Sequence, residues 1–460
     1  MDTRFAISEY LDAAQVTAQL DALIKKPIYS ISPAALKKYE EEYFDKKCAK
    51  SKAMITEAKE IIPGGVQHNL AFNYPFPIVM TKAKGAKLYD IDGNEYYDFL
   101  QAGGPTILGS NDDVVKEKVK ELLDDCGPST GLFHEYEYKL AKKISDCVPS
   151  VEMFRMLGSG TEACMCAVRV ARLATGHKNI IKMGGAYHGW SDQLAWGMRV
   201  PGTMNLQSHG VPLFVFKHTQ EFFPNDLKSL ERKLILNKFR GGTAAVFIEA
   251  IGPESGTRPV DKDFPKGVQA LCRKYGALLV CDEVVTGFRI GGHREVMKYL
   301  GAGLDKGNGS GKKIHKAMCG GTMAATPISC CAGYTAICEI EKRNACQVAG
   351  KMADRLVHGL QALIKKYDLP FVCFNQGSVC HLDTVGTMHF KVDWKHPWTI
   401  PHTLKETGKR QSEMEHMGAA YMAEGLVTLA GSRLYTSAAY TEEMIDDCLN
   451  RFENVFKNCV

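Results

Sequence analysis

The sequence predicts an α/β protein built on a mostly parallel sheet, with a second, smaller lobe. Three observations point there. From about residue 111, short apolar runs alternate with amphipathic helical patterns, as parallel strands joined by crossover helices do. One of those runs, Leu278-Leu279-Val280, reads as a strand buried on both faces and leads into the acids Asp282 and Glu283. A chain of 460 residues also exceeds what one compact core usually holds, so two domains, or one large domain with a smaller lobe, are expected.

Taken in order, residues 1–50 show helical periodicity over 16–24 and 34–44 and read as a helical extension without recognisable chemistry. Residues 51–110 read as the N-terminal part of the smaller domain. A helix there is broken by Pro63-Gly64-Gly65, and strands follow at 77–80, 86–89 and 95–99, with Asp92-Gly93 as a hairpin signal between the last two. Residues 111–326 read as the large domain. Helices are expected at 114–123, 137–148 and from Gly160 through Leu173, with strands at 154–157, 179–183, 213–216, 244–248 and 278–280. Residues 327–460 read as a linking helix at 327–340, a second helix at 345–365, strands at 371–374 and 379–382, and a polar Trp- and His-bearing stretch to about 409.

A net charge of +5 without a basic run gives no support to nucleic-acid or membrane-surface binding. No run of 18 apolar residues occurs and the opening Met1-Asp2-Thr3-Arg4-Phe5-Ala6 is not a leader pattern, so a cytoplasmic protein is expected. Sixteen cysteines are scattered without a Cys-x-x-Cys, which reads as free thiols in a reducing compartment and not as a metal site.

Four polar clusters fall at ends of the proposed strands. Gly158-Ser159-Gly160-Thr161 opens a helix, where glycines admit an anion and free N–H groups attract it; Ser and Thr there also serve as plain helix caps. The spacing is not that of a P-loop. Tyr187-His188-Gly189 presents an aromatic ring and an imidazole that could stack on a planar ligand or close the local core. Glu249-Ala250-Ile251-Gly252-Pro253-Glu254 and Asp282 complete the set. An acid at the carboxyl end of a buried parallel strand is costly and sits where open α/β sheets bind ligands. Four clusters on one sheet edge argue for a site.

Those residues carry a family resemblance. Ser159-Gly160-Thr161-Glu162-Ala163, Tyr187-His188-Gly189, Asp282-Glu283-Val284 with Thr286-Gly287-Phe288-Arg289, and Gly321-Thr322 resemble the class III aminotransferases, nearest to the glutamate-1-semialdehyde aminomutase branch. The resemblance extends from about Pro63 to Thr441. It implies a fold type I transferase dependent on pyridoxal 5'-phosphate, with a large domain, a smaller α+β domain drawn from both chain ends, and a homodimer whose site lies at the subunit interface. It implies that Ser159, Gly160 and Thr161 hold the cofactor phosphate, that Tyr187 stacks on the pyridine ring and that Asp282 pairs with the ring nitrogen, with Val284 alongside. Glu254 would lie near the cofactor hydroxyl and the substrate, and Thr322 would reach the neighbouring subunit's phosphate. The reaction implied moves an amino group on a small amino acid or amino aldehyde.

The sequence also departs from the family. Glu-Pro reads Glu249-Ala250, the usual Gly-His-x-His-Pro reads Gly109-Ser110-Asn111-Asp112-Asp113, and Gln67-His68-Asn69 differ from the aminomutase pattern. The Schiff-base lysine expected after Thr286-Gly287-Phe288-Arg289 is missing, because Ile290 runs directly into Gly291-Gly292-His293. Roughly two dozen residues, one or two strands with their loops, are absent there. Either a stretch of chain is omitted between Ile290 and Gly291, or the protein binds cofactor without turnover, or Lys312 in Gly311-Lys312-Lys313 takes the lysine's place. The first is preferred, since losing interior strands would expose a core the remaining sequence is built to cover.

Overall fold

In the computed structural model the described residues are 10–128, 130–148, 150–289, 317 and 319–460. The chain first lays down an antiparallel meander of β1 (Met80–Lys84), β2 (Lys87–Asp90) and β3 (Glu95–Asp98). It continues through β4 (Asn179–Met183), β5 (Thr219–Phe222), β6 (Thr243–Glu249) and β7 (Leu278–Asp282). It closes with β8 (Val372–Gln376), β9 (Val379–Asp383), β10 (Leu426–Val427) and β11 (Arg433–Tyr435).

The large domain is organised around a parallel sheet in the order β5-β4-β6-β7. Every residue of β4 and β6 is buried, which their apolar sequences allow and which helices on both faces require. Ile181, Met183, Val246 and Ile248 pack toward Leu230, Leu234, Phe264 and Val268 of the helices Leu227–Lys238 and Phe264–Tyr275. On the opposite face Ile180, Ala245 and Phe247 meet Val168 and Ala171 of the helix Gly160–Thr175. That helix is capped by Ser159 and stopped by Gly176 in the left-handed conformation.

The smaller domain joins distant parts of the chain. Strand β10 pairs in parallel with β3, while β9 sits between β8 and β11 in a second sheet. Its core brings Tyr97 and Phe99 together with Leu356, Leu382 and Phe452. The N-terminal helix Ala13–Leu23 covers Val372 and Phe374 with Val16, Leu20 and Leu23. Arg289 connects the two domains. It is buried, and its guanidinium donates to the carbonyl oxygens of Gly104, Ser378 and Thr436 and to Ser378 Oγ.

Several elements differ from the sequence expectation. Residues 154–157 form no strand, and the apolar run 213–216 lies in a 3-10 helix, Leu213–His218, with the strand beginning only at Thr219. Leu213 and Phe214 are exposed, so their hydrophobicity does not mark a core strand. The strand expected at 77–80 starts at Met80. The polar stretch to 409 leads into and partly forms a long helix, Ile400–Ala423. Leu278, Leu279 and Val280 are half-buried instead of buried on both faces, because β7 is the sheet edge among the described residues. All sixteen cysteines are free thiols. No helix among the described residues is long and apolar enough to cross a membrane.

Candidate active site

The carboxyl edge of the parallel sheet gathers the site. Glu249 and Asp282 end β6 and β7 and are direct register partners, so two carboxylates stand side by side. Their surroundings drive them apart. Asp282 Oδ2 accepts from His188 Nδ1 at 2.8 Å and from the Cys164 thiol at 3.6 Å, and Oδ1 accepts the Val284 N–H at 3.0 Å. Burial works against its charge, but His188 and these donors outweigh burial and hold the carboxyl below its usual range. His188, buried against Phe247, is held below the ordinary imidazole range by burial, which fits a neutral ring donating from Nδ1. Cys164, His188 and Asp282 offer ligand atoms within 4.8 Å of one another, and these hydrogen bonds account for the cluster.

Glu249 is the tie between loops. Its Oε1 accepts the N–H groups of Tyr187 at 3.2 Å and Glu254 at 2.9 Å, and its Oε2 accepts that of Ser255 at 2.8 Å. Burial and the neighbouring Asp282 push its carboxyl up to about 8, against the pull of the N–H donors. Glu254 and Ser255 hold left-handed φ angles of 53° and 62°. The carboxylate of Glu254 pairs with Arg433 of β11 at 2.9 Å, with both side chains largely buried. Burial alone would lower the Arg433 value, yet the charge of Glu254 holds it above the ordinary guanidinium.

Tyr187 leaves 47% of its surface exposed at this edge. The turn at the start of the helix Gly160–Thr175 approaches from the other side. Ser159 Oγ accepts the Glu162 N–H at 3.3 Å, and the Gly158 N–H donates to Glu162 Oε2 at 2.6 Å. The first helical N–H groups, at Gly160 and Thr161, lack intrahelical partners by geometry. A Cβ on Gly189, whose φ is +83°, would lie 2.3 Å from Thr161 Oγ1, so glycine lets the Tyr187 loop touch the turn. A Cβ on Gly160 would lie 3.0 Å from Val284, an exposed side chain. An open cleft of about 1100 Å³ begins at Ser159, Thr161 and Glu162 and runs past Trp190. Thr322 is exposed, and its neighbour Gly321 lies near Glu162 of the same chain.

The structure thus brings Ser159, Gly160, Thr161, Tyr187, Glu254, Asp282 and Val284 to one edge. Lys312 and the Ile290–Gly291 junction lie outside the described residues. Sequence reasoning missed Cys164, the tying role of Glu249 and the cation Arg433. Arg433 lies far along the chain from Glu254, and no spacing pattern marks it. It also missed Lys182, fully buried on β4, whose ammonium donates to the carbonyl oxygens of Ala186 at 2.8 Å, Leu194 at 3.2 Å and Trp196 at 2.7 Å. Burial lowers that amine to about 8.

Residues 70–456 match the family model described as Aminotransferase class-III. The chain belongs to the class III aminotransferases. It is 37% identical over 359 residues to a glutamate-1-semialdehyde 2,1-aminomutase 2 of Halalkalibacterium halodurans, covering 72% of this chain and 82% of the relative. It is 34% identical over 441 residues to the glutamate-1-semialdehyde 2,1-aminomutase of Bacillus subtilis, covering 88% and 97%. Among solved structures, an omega-transaminase from Sphaerobacter thermophilus superposes with a TM-score of 0.76 at 22% identity over 90% of this chain and 99% of that one. A glutamate-1-semialdehyde aminomutase from Pseudomonas aeruginosa gives 0.72 at 17% identity over 97% and 99%. This class III member therefore has the fold type I architecture and is a pyridoxal-phosphate-dependent enzyme of the aminotransferase and aminomutase group. The described residues suit that cofactor: a buried, ionised carboxylate for a ring nitrogen, a half-exposed aromatic face, and a glycine-lined helix start for a phosphate.

Proposed function

We propose that the chain moves an amino group on a small amino acid or amino aldehyde, with glutamate-1-semialdehyde among the candidates because of the relatives' names. When bound, the cofactor supplies an electron sink for the carbon that loses its proton. The chain's own residues fix where that happens. Asp282 would hold the ring nitrogen protonated, backed by His188; Tyr187 would offer its ring face to the cofactor, with Val284 alongside. Ser159, Gly160 and Thr161 would bind the phosphate at the helix start, and Glu254 would serve the cofactor hydroxyl and the substrate. Glu249 keeps the Tyr187 and Glu254 loops in register through their backbones.

The observation that carries this reading is the buried, ionised Asp282 under the 2.8 Å bond from His188. Asp282→Asn removes the charge and keeps the shape. Turnover should fall by more than about a hundredfold, the scale of losing one preorganised electrostatic group, a far larger effect than the accompanying loss of stability. Unchanged turnover would refute the role. Borohydride reduction of the loaded protein followed by peptide mapping should place the cofactor on a lysine. Cofactor that dialyses away instead would mark a binding protein without turnover.

The reading includes a cytoplasmic homodimer. Exposed Trp190 and Met323 border the cleft region and Thr322, where a second subunit would bury them, and Thr322 would then serve the neighbouring subunit's phosphate. Sedimentation of the purified protein at a monomer mass would overturn it.

A further inference from the structure

We infer that Arg199 is a carboxylate receptor at the mouth of this site and selects acidic amino donors. The inference rests on the reading of the site given above and adds the chemical class of its substrate. Loop 197–204 runs alongside the entry to Tyr187. Gly185 and Met198 form a parallel bridge, the Gly185 N–H donates to the Gly197 carbonyl at 2.8 Å, and a Cβ on Gly185 would lie 3.1 Å from the Arg199 carbonyl oxygen. Arg199 therefore flanks the strand exit two residues before the stacking ring.

Its backbone is held in the left-handed region, with φ at +58°, which a non-glycine residue adopts only where the surroundings enforce it. The enforcement is visible on both sides of the loop. The Gly202 N–H donates to Glu221 Oε2 at 3.2 Å, and the Val392 N–H donates to the Pro201 carbonyl at 3.0 Å. The Trp394 indole N–H donates to the Gly202 carbonyl at 2.7 Å. The Trp-bearing polar stretch of the smaller domain thus clamps the loop from above.

The side chain so placed is exposed and has no ion-pair or hydrogen-bond partner among the described residues. Its charge reaches the Tyr187 hydroxyl, where it opposes the upward push of burial and Glu254. Two other cations near the site are already engaged: Arg433 by Glu254 at 2.9 Å, and buried Lys182 by the carbonyl oxygens of Ala186, Leu194 and Trp196. A planar guanidinium offers a carboxylate two parallel N–H groups, a match that a lysine does not reproduce. Among the described residues, Arg199 is an exposed guanidinium beside the Tyr187 loop with no carboxylate partner, suited to receive the substrate's acid.

The test uses stable reduced adducts, which need no lysine and no turnover. N-phosphopyridoxyl-glutamate carries cofactor and acidic donor in one molecule, and N-phosphopyridoxyl-propylamine lacks both carboxylates. Binding to the full-length protein is read by quenching of tryptophan fluorescence. Arg199→Met should weaken the glutamate adduct by about tenfold or more while changing the propylamine adduct by less than about twofold, tenfold being about 1.4 kcal/mol. Arg199→Lys should recover part of the loss. Trp394→Phe, which removes the indole N–H that holds Gly202 and keeps an aromatic ring, should weaken the glutamate adduct by a few fold and leave the other unchanged. Equal losses for both adducts would make the loop structural, and no loss would assign the carboxylate elsewhere; either overturns the inference alone. If neither adduct binds the wild-type protein, the functional reading falls with it.

Discussion

The two ends of the proposed cofactor site are built differently. At the ring end, Asp282 and Glu249 are buried and accept six hydrogen bonds between them, from His188, Cys164 and four backbone N–H groups. At the phosphate end, the Gly158–Thr161 turn is partly exposed and its contacts are a helix cap and a glutamate folded back on Gly158. The ring end is assembled by folding and holds its geometry without a ligand. The phosphate end has fewer contacts of its own to hold it.

Removing a group from the first end should therefore cost stability, and from the second mainly affinity. The largest effect is expected for Glu249→Leu, which strands three N–H groups, those of Glu254 and Ser255 buried and that of Tyr187 partly so. At about 1 kcal/mol or more for each, the loss is at least about 3 kcal/mol, read by denaturant unfolding. Glu249→Gln tests the charge alone. Since the folded-state value of Glu249 is raised to about 8 from an ordinary 4.5, the native state holds the proton more tightly than the unfolded chain. Its contribution to stability is full below the ordinary value and is lost as pH rises toward 8. The glutamine variant should flatten that part of the stability–pH curve; an unaltered slope would show that Glu249 is ionised throughout.

Next comes Gly189→Ala, where the ends meet. The positive φ and the approach to Thr161 predict a cost of about 1–3 kcal/mol together with weaker binding of pyridoxamine phosphate, followed by fluorescence. Ser159→Ala is the smallest. Loss of the cap should cost about 1 kcal/mol, with weaker phosphate binding as its clearer signature. A larger stability loss from Ser159→Ala than from Glu249→Leu would break the contrast between the ends.

The same contrast sets what was legible in the sequence. Asp282, Glu249 and Tyr187 stand out because each closes or follows a short apolar strand, and a parallel sheet brings such ends together. The strand register that pairs Glu249 with Asp282 follows from β6 and β7 lying side by side, which alternation of strands and helices implies only in outline. The run 213–216 misled because a short apolar segment has no period that separates strand from helix turn. Helix Ile400–Ala423 was hidden by Pro401, Gly408 and a polar first half, with its buried side chains concentrated after Arg410. The Glu254–Arg433 pair and the Trp394 clamp are tertiary contacts between chain segments far apart, and no local pattern encodes them.

Arg289 gives the small domain a mooring with a chemical consequence. The segment that carries Asp282 continues through Thr286 to this guanidinium, which grips carbonyl oxygens of Gly104 and Thr436 on the other domain. Arg433, on β11, belongs to that other domain and contacts Glu254 at the sheet edge. Arg289 and the Glu254–Arg433 pair therefore tie the smaller domain to the same sheet edge at two points, one on the backbone that follows Asp282 and one on the loop that follows Glu249.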